Sequence, residues 1–308
     1  MKFATYVHDD KVCYGLKTPT GVFDLLLAAQ EAGVSGLPSD LLSLIAAGES
    51  GLQIARGLAA ACEAGKYDAA HLSDAAVRYI APIPHPSRNV FCVGRNYKEH
   101  VAEGYKSRGE EIKLPLVPQF FTKSPATVIG PDAAFYLDTR VTQRFDYEVE
   151  LGIIIGKRGS DIKPENAMQH VFGYTIINDL TARDLQRSHE QWFKGKSLDR
   201  SCPMGPVIVT ADEITEPGEL ELSLTVNGEM RQRAKVSQMI FHIPEIIASL
   251  SLGMALEPGD IIATGTPSGV GYAMDPPRLL AAGDVVACNI TQIGQLVTPI
   301  VTAGGTNA

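Results

Sequence analysis

Two glutamates separated by a single residue lie in the segment DYEVELG, residues 146–152. In a β-strand, Glu148 and Glu150 point to the same face, with their Cα atoms roughly 7 Å apart. The apolar residues around them indicate a buried strand, and two buried carboxylates repel each other unless a cation lies between them. A single hard cation bound by both side chains removes this conflict. The alternative is an edge strand with a solvated acidic face.

A third carboxylate, Asp179, ends the apolar segment GYTIIND and precedes a helix-like segment. An aspartate at this position is also a common helix N-cap, which is the alternative interpretation. As a third ligand it would complete a set of three carboxylates around one ion. Ligation by oxygen alone favours Mg²⁺ or Mn²⁺, with Ca²⁺ as an alternative, over Zn²⁺.

The segment GRNYKEHVAEG, residues 94–104, offers a candidate general base. His100 and Glu103 are three residues apart, so their side chains are neighbours on a helix. A carboxylate beside an imidazole orients it and raises its basicity, as a base acting on water requires. A surface ion pair is the alternative.

Two further segments contain residues that could bind an anion. Lys196 precedes a stretch rich in proline and glycine, although most lysines are simply solvated. The loop ATGTPSGVG, residues 263–271, follows an apolar strand, and its backbone N–H groups could surround an anion. It is not a P-loop, because no lysine follows its glycines. An ordinary turn is the alternative for this loop.

The first 80 residues predict a small α+β domain. They contain a hairpin pattern that turns near Asp9 and Asp10, then helical patterns with glycine stops over residues 21–33 and 41–65. Three prolines in five residues, Pro82 to Pro86, predict a boundary. The predicted domains are residues 1–80 and 81–308.

The second domain is predicted to be β-rich. Short β-branched runs separated by Gly, Pro and Asp dominate it, and a strand, turn and strand are predicted from residue 285 onward. Helices are predicted in residues 181–191 and 241–253. Because no regular βαβ alternation appears, the predicted fold class is α+β. The charged segment 105–118 is predicted to be a surface excursion.

Composition excludes several classes of partner. A formal net charge of −8 and the lack of a dense Lys/Arg stripe give no electrostatic basis for binding nucleic acid or an anionic membrane. The N-terminal segment meets acidic residues before an apolar run could form, so no signal peptide and a cytoplasmic location are expected. The five cysteines are scattered without a CxxC pair. We therefore predict no disulfide, with Cys202 and Cys288 packed as small apolar residues.

Six segments, taken together and in order, resemble the fumarylacetoacetate hydrolase superfamily. The resemblance spans about residues 85–301 and is closest to its acylpyruvase and 2-hydroxyhepta-2,4-diene-1,7-dioate isomerase branch. The segments are GRNYKEH, FFTKSPATVIGP, FDYEVELGIIIGK, GYTIINDLTARDLQ, GKSLDRSCPMGP and PGDIIATGTPSGVG. The resemblance implies a β-roll catalytic domain and a homodimer.

The resemblance also implies roles for individual residues. Glu148, Glu150 and Asp179 would bind Mg²⁺ or Mn²⁺. His100 and Glu103 would form a catalytic dyad on a lid. The active-site lysine would be Lys196, and the substrate contacts would be Gln186, Gly265, Thr266 and Lys123. The excursion after Tyr105 is longer than expected for compact members of the family.

These assignments predict an enzyme that acts on a small 2-oxo acid. The favoured reaction is hydrolysis of a C–C bond in a 2,4-dioxo acid, releasing pyruvate and a carboxylic acid. His100, assisted by Glu103, would deprotonate the attacking water, and the metal would stabilise the pyruvate enolate. An isomerase, decarboxylase or hydratase using the same enolate is the first alternative. A non-catalytic protein that binds 2-oxo acids is the second.

Overall fold

The computed structural model describes residues 1–304. Its strands are β1 Lys2–His8, β2 Lys11–Thr18, β3 Gly21–Asp24, β4 His71–Ser73, β5 Arg78–Ile80, β6 Val90–Gly94, β7 Gln119–Lys123, β8 Val128–Ile129, β9 Phe135–Leu137, β10 Phe145–Asp146, β11 Val149–Ile155, β12 Val171–Asn178, β13 Thr181–Ala182, β14 Cys202–Thr210, β15 Glu221–Val226, β16 Glu229–Lys235, β17 Ile261–Ala263, β18 Val285–Ile290 and β19 Gly294–Thr302. Its α-helices are α1 Leu25–Ala32, α2 Leu41–Ala47, α3 Glu49–Glu63, α4 Lys98–Lys106, α5 Arg183–Ser188, α6 Phe193–Lys196 and α7 Ile243–Ser251. The strand-rich α+β class is confirmed.

A large twelve-stranded sheet forms the centre of the molecule. Its strand order is β4-β3-β2-β1-β14-β12-β11-β17-β6-β7, with β5 paired to β1 and β8 to β14. A five-stranded sheet, β16-β15-β18-β19-β9, packs against it, and β10 pairs with β13. The predicted strand, turn and strand at the C-terminal end are β18 and β19, which pair in antiparallel fashion.

The central strands are buried on both faces, which explains their continuous apolar sequences. Side chains alternate between the faces of a strand. Ile153 of β11 and Ile176 of β12 pack toward the five-stranded sheet and α7. Their neighbours Ile154 and Ile177 pack on the opposite face, in the cluster that includes β1–β3 and α1–α3. Two apolar layers therefore enclose the strands that position the acids.

The N-terminal hairpin forms where the sequence predicts it. His8 pairs with Lys11, and both Asp9 and Asp10 have positive φ angles, as a two-residue hairpin turn requires. The helical prediction for residues 21–33 is correct only from Leu25 onward, because residues 21–24 form β3. Asp24 ends this strand, and its side chain accepts the backbone N–H of Leu27 as the cap of α1.

The predicted boundary near residue 80 stays a prediction. The chain on its two sides shares one sheet, because β1 pairs with β14 through Phe3 and Ile208. The segment that follows α4 has no regular structure up to β7 and is largely exposed, as predicted for an excursion. Among residues 1–304, every helix falls short of the length and hydropathy that crossing a lipid bilayer requires.

All five cysteines are free thiols. Cys202 and Cys288 are fully buried in strands β14 and β18, which confirms their predicted packing. Burial raises the pKa of the Cys202 thiol to about 12, so this group stays protonated at neutral pH.

Candidate active site

Antiparallel pairing of β11 and β12 brings the three predicted ligands together. Val149 pairs with Asn178, so Glu148, just before β11, and Glu150, within β11, lie beside Asp179, which follows β12. The backbone N–H of Asp179 donates to the carbonyl of Glu148 at 2.8 Å. All three side chains are buried, and each offers a carboxylate oxygen within 4.8 Å of the others. We call Glu148, Glu150 and Asp179 the acid triad.

Two buried lysines neutralise part of the acid triad. The Lys196 ammonium lies 2.6 Å from Glu148 Oε2 and 2.7 Å from Asp179 Oδ2. Lys123 Nζ donates to Asp179 Oδ1 at 2.7 Å, to the carbonyl of Leu180 at 3.1 Å and to the carbonyl of Lys196. An ammonium has three protons, so these bonds use the whole donor capacity of Lys123. Lys123, predicted as a substrate contact, lies behind the acid triad with no exposed surface.

Glu150 differs from the other two acids because, within residues 1–304, no cation forms an ion pair with it, although the charge of Lys196 acts on it from a distance. It accepts the backbone N–H of Gly265 at 2.7 Å and forms no ion pair within residues 1–304. Burial raises the pKa of this carboxyl well above its usual range, and the charges of Asp179 and Glu148 raise it further. Its ionised form therefore lacks a directly paired counter-charge among residues 1–304, and the charge of Lys196 offsets its raised pKa only in part.

The pKa of Glu148 is shifted in the opposite direction from that of Glu150. Burial raises its pKa, but the charges of Lys196 and Arg183 outweigh burial and lower it to about 2. The Arg183 guanidinium contacts Glu148 Oε1 at 2.7 Å. The acid triad thus presents fixed carboxylates and, in Glu150, one oxygen donor without an ion pair among residues 1–304. This donor set fits a divalent cation that prefers oxygen ligands, such as Mg²⁺ or Mn²⁺.

The predicted dyad forms on α4. His100 Nδ1 lies 2.8 Å from Glu103 Oε1, and the other oxygen of Glu103 accepts the backbone N–H of Gly269 at 2.8 Å. The loop after β17 therefore fixes the carboxylate, and the carboxylate fixes the imidazole. In the tautomer that donates from Nδ1, Nε2 is free to accept a proton.

A cavity of about 310 Å³ contains most of the predicted residues. Its wall includes six of them, namely His100, Glu148, Glu150, Gln186, Lys196 and Thr266. Asp179, Glu103, Gly265 and Lys123 do not line it but contact residues that do. The hydroxyl of Thr266 donates to the carbonyl of Val149 and accepts from Gln232, which fixes it beside β11.

Gly265 must be glycine for this wall to form. Its φ of +98° is unfavourable for other residues, and a Cβ there would lie 2.8 Å from Asn96 Cβ. The loop can then direct its N–H at Glu150. Gly265, predicted as a substrate contact, is the hydrogen-bond donor to Glu150 in the structure.

A group of cationic and aromatic residues that line the cavity was not predicted from the sequence: Arg95, Arg108, Arg183, Arg187, Tyr105, Trp192 and Tyr272. The positions of two of them, relative to the predicted substrate contact Gln186, could have identified them. Arg183 and Arg187 lie three residues before and one after Gln186, and positions 183 and 187 share a face of α5. Tyr272 comes one residue after the predicted anion loop and has no pattern of its own. Arg183 packs over its ring, 4.5 Å from the centroid.

Comparisons with known proteins identify the chain's relatives. The sequence profile described as "Fumarylacetoacetate (FAA) hydrolase C-terminal" matches residues 89–301. Oxaloacetate tautomerase YisK of Bacillus subtilis is 45% identical over 304 residues, covering 97% of this chain and all of the relative.

Two solved structures also resemble the whole chain. A fumarylacetoacetate hydrolase from Exiguobacterium antarcticum is 39% identical with a TM-score of 0.79, covering 98% of this chain and 99% of its own. Maleylpyruvate hydrolase from Sphingobium sp. SYK-6, solved with manganese(II) and pyruvate, is 28% identical with a TM-score of 0.76. That match covers 99% of this chain and all of the hydrolase.

Proposed function

The chain is an enzyme of the fumarylacetoacetate hydrolase family, and we propose that it catalyses keto–enol tautomerisation of a small 2-oxo diacid such as oxaloacetate. The observation that carries the proposal is one cavity lined by His100, which Glu103 orients, and by two members of the buried acid triad. The tautomerase at 45% identity, matched over its whole length, supports this choice among the reactions of the family.

The acid triad would hold the metal, Mg²⁺ or Mn²⁺. When bound there, the ion would supply Lewis acidity that stabilises negative charge on the 2-oxo oxygen. The manganese in the maleylpyruvate hydrolase structure supports a divalent ion in this fold.

Lys196 contributes a permanent positive charge beside the carboxylate oxygens of Glu148 and Asp179. Burial lowers the pKa of this ammonium, but Asp179 and Glu148 outweigh burial and raise it, so Lys196 stays protonated. Its charge lies where an oxygen of the substrate becomes negative as a C3 proton leaves. This arrangement stabilises the developing charge without reorganising during the reaction.

His100 moves the proton. Its free Nε2 accepts the C3 proton of the keto form, and the imidazolium returns a proton to the C2 oxygen, so that the enol forms without net proton loss. Glu103 stabilises the imidazolium, because its carboxylate lies 2.8 Å from Nδ1. Gly269 holds Glu103 in place through its backbone N–H.

Hydrolysis of a C–C bond in a 2,4-dioxo acid, favoured from the sequence, is the second candidate. The same dyad could deprotonate a water instead of a carbon acid. The maleylpyruvate hydrolase, solved with pyruvate, supports this alternative. It needs space for both a water and an acyl group.

A direct rate comparison separates the two reactions. Enol-oxaloacetate absorbs in the near ultraviolet, so its decay to the keto form can be followed with enzyme and Mg²⁺. We expect acceleration of this decay that EDTA abolishes, and cleavage of acetylpyruvate at least about tenfold slower in kcat/KM, a difference of about 1.4 kcal/mol. Rapid cleavage of acetylpyruvate without acceleration of the decay would establish hydrolysis instead.

The homodimer implied by the resemblance and the cytoplasmic location stay predictions. Light scattering coupled to size exclusion would test the first. A mass near twice the 33.0 kDa of the chain is expected.

A further inference from the structure

The side chain of Tyr272 lines the cavity. Within residues 1–304 it forms no hydrogen bond, although the backbone of Tyr272 is held by Asp146. A phenol is protonated at neutral pH and is therefore available as a donor. A Cβ on Gly104 of α4 would lie only 2.9 Å from the hydroxyl oxygen. The helix that bears His100 thus leaves room for this hydroxyl.

Most cations of the cavity are already paired. Arg183 donates to Asp146 and contacts Glu148, and Lys196 joins Glu148 to Asp179. Arg108 pairs with Glu110 at 3.0 Å. These groups neutralise carboxylates of the protein, so little of their charge is left for a second anionic group on the substrate.

Arg187 and Arg95 are different. In the described part of the chain neither forms an ion pair, and each is placed by aromatic rings. The Arg187 guanidinium lies 5.7 Å from the centroid of the Tyr272 ring. Arg95 packs near the rings of Tyr105 and Trp192, at 5.7 and 5.6 Å. Two positions could therefore receive an anion, one beside Tyr272 and one beside Trp192.

Both positions combine an unpaired guanidinium with neutral donors that lack a hydrogen bond within residues 1–304: the Tyr272 hydroxyl beside Arg187, and the Trp192 indole N–H and Tyr105 hydroxyl beside Arg95. A carboxylate has two oxygens and accepts strong hydrogen bonds from guanidinium and hydroxyl groups together. The position beside Tyr272 adjoins the acid triad and α4, because Arg183, which packs 4.5 Å from the centroid of the Tyr272 ring, contacts Glu148, and the Tyr272 hydroxyl lies beside Gly104 of α4. It therefore lies between the acid triad and the dyad, where the rest of a substrate held at the triad must extend.

We propose that Tyr272 and Arg187 form the subsite that binds the second carboxylate of a 2-oxo diacid. The inference rests on the proposed function in one respect, namely that the 2-oxo acid end of the ligand lies at the acid triad. It names two specificity-determining residues and predicts a preference for diacids over monoacids of equal length.

Binding can be measured apart from turnover. Trp192 is the chain's only tryptophan and lines the same cavity, so its fluorescence reports occupancy. Two probes without a C3 hydrogen cannot enolise: 3,3-difluorooxaloacetate and 3,3-difluoro-2-oxobutyrate. They differ by a carboxylate in place of a methyl group. With Mg²⁺-loaded enzyme, the ratio of their Kd values measures recognition of the second carboxylate.

We expect wild-type enzyme to bind the diacid more tightly, and Tyr272→Phe and Arg187→Gln each to reduce this preference roughly tenfold or more. Affinity for the monoacid and for Mn²⁺ should change little, since neither residue contacts the acid triad. Arg95→Gln is the matched control, because it removes the other unpaired guanidinium of the cavity. It should leave the preference unchanged.

Loss of diacid preference in Arg95→Gln, with preference retained in Tyr272→Phe and Arg187→Gln, would overturn the assignment. A wild-type enzyme without any preference would overturn it as well. If the expected pattern appears while the enzyme fails to accelerate tautomerisation, the subsite stands and only the proposed reaction is wrong.

Discussion

The three acids of the triad have very different partners. Glu148 contacts Lys196 and Arg183, Asp179 contacts both lysines, and Glu150 has a single backbone N–H. Sequence spacing predicted that Glu148 and Glu150 share a face. It could not predict this distribution of charge, because Lys123, Arg183 and Lys196 arrive from separate segments of the chain.

Replacing His100 tests the proton-transfer residue. His100→Ala should reduce kcat for tautomerisation by roughly 10²–10⁴-fold, because the base is lost. KM and Mn²⁺ affinity should change far less, since the acid triad and Lys196 remain. Glu103→Gln should show a milder loss, because the imidazole survives without its charged partner. Equal KM and kcat changes in His100→Ala would instead indicate a positioning role.

The complete burial of Lys123 predicts that this residue stabilises the fold. Lys123→Met leaves Asp179 Oδ1 and two carbonyls without their donor, and breaking a buried ion pair costs about 3–5 kcal/mol. We therefore expect a large fall in the free energy of unfolding, measured by urea denaturation. A variant of wild-type stability with a raised KM would show that Lys123 contacts substrate, as the sequence first indicated.

At the scale of elements, local patterns predicted the strands well and their ends less well. The apolar runs of β11 and β12 and the hairpin at Asp9 follow from residue types alone. The helix predicted from residue 21 begins only at Leu25, because Gly21–Asp24 pairs with β2. Pairing between strands is a tertiary effect, and here it overrides the helical pattern of residues 21–24.

The loop after β17 connects the acid triad to α4, and Gly265 is the residue of this loop that donates to Glu150. Gly265→Ala places a side chain at φ +98° and 2.8 Å from Asn96 Cβ. We expect a loss of roughly 1–3 kcal/mol in stability and a weaker Mn²⁺ site, because the N–H to Glu150 shifts. Calorimetry with and without Mn²⁺ measures both.

Gly57→Ala is the matched control. Gly57 lies within α3, and a Cβ there meets nothing within 4 Å. This change should raise stability by up to about 1 kcal/mol, since alanine favours helix. If Gly265→Ala behaved like Gly57→Ala, the loop would be more adaptable than its contacts indicate.

At the scale of the whole molecule, the N-terminal segment is part of the central sheet. Strand β1 covers the edge of β14, and one apolar cluster joins α1–α3 to Ile154, Ile177 and Ile208. A pairing across some 200 residues leaves no trace in local periodicity, so the sequence predicted two domains but not their common sheet.

A chain that starts at residue 81 should therefore fold poorly. It would expose the edge of β14 and the apolar face that α1–α3 cover, and such surfaces promote aggregation. We expect insoluble or non-cooperatively unfolding protein by size exclusion and circular dichroism. A monodisperse product with a single sharp thermal transition would instead support residues 81–308 as an independent domain.

Glu150, the one acid of the triad without an ion pair among residues 1–304, is the most direct probe of the triad as a divalent-metal site. The measurement is a Mn²⁺ titration of wild-type protein and Glu150→Gln, followed by electron paramagnetic resonance of free Mn²⁺. We predict one tightly bound Mn²⁺ per wild-type chain and at least about a hundredfold weaker binding in the variant, because one anionic ligand is lost. The melting temperature of the metal-free variant should not fall, because the substitution removes a carboxylate that Asp179 and Glu148 repel. Wild-type Mn²⁺ affinity in Glu150→Gln, or a wild-type chain that binds no Mn²⁺, would contradict the account.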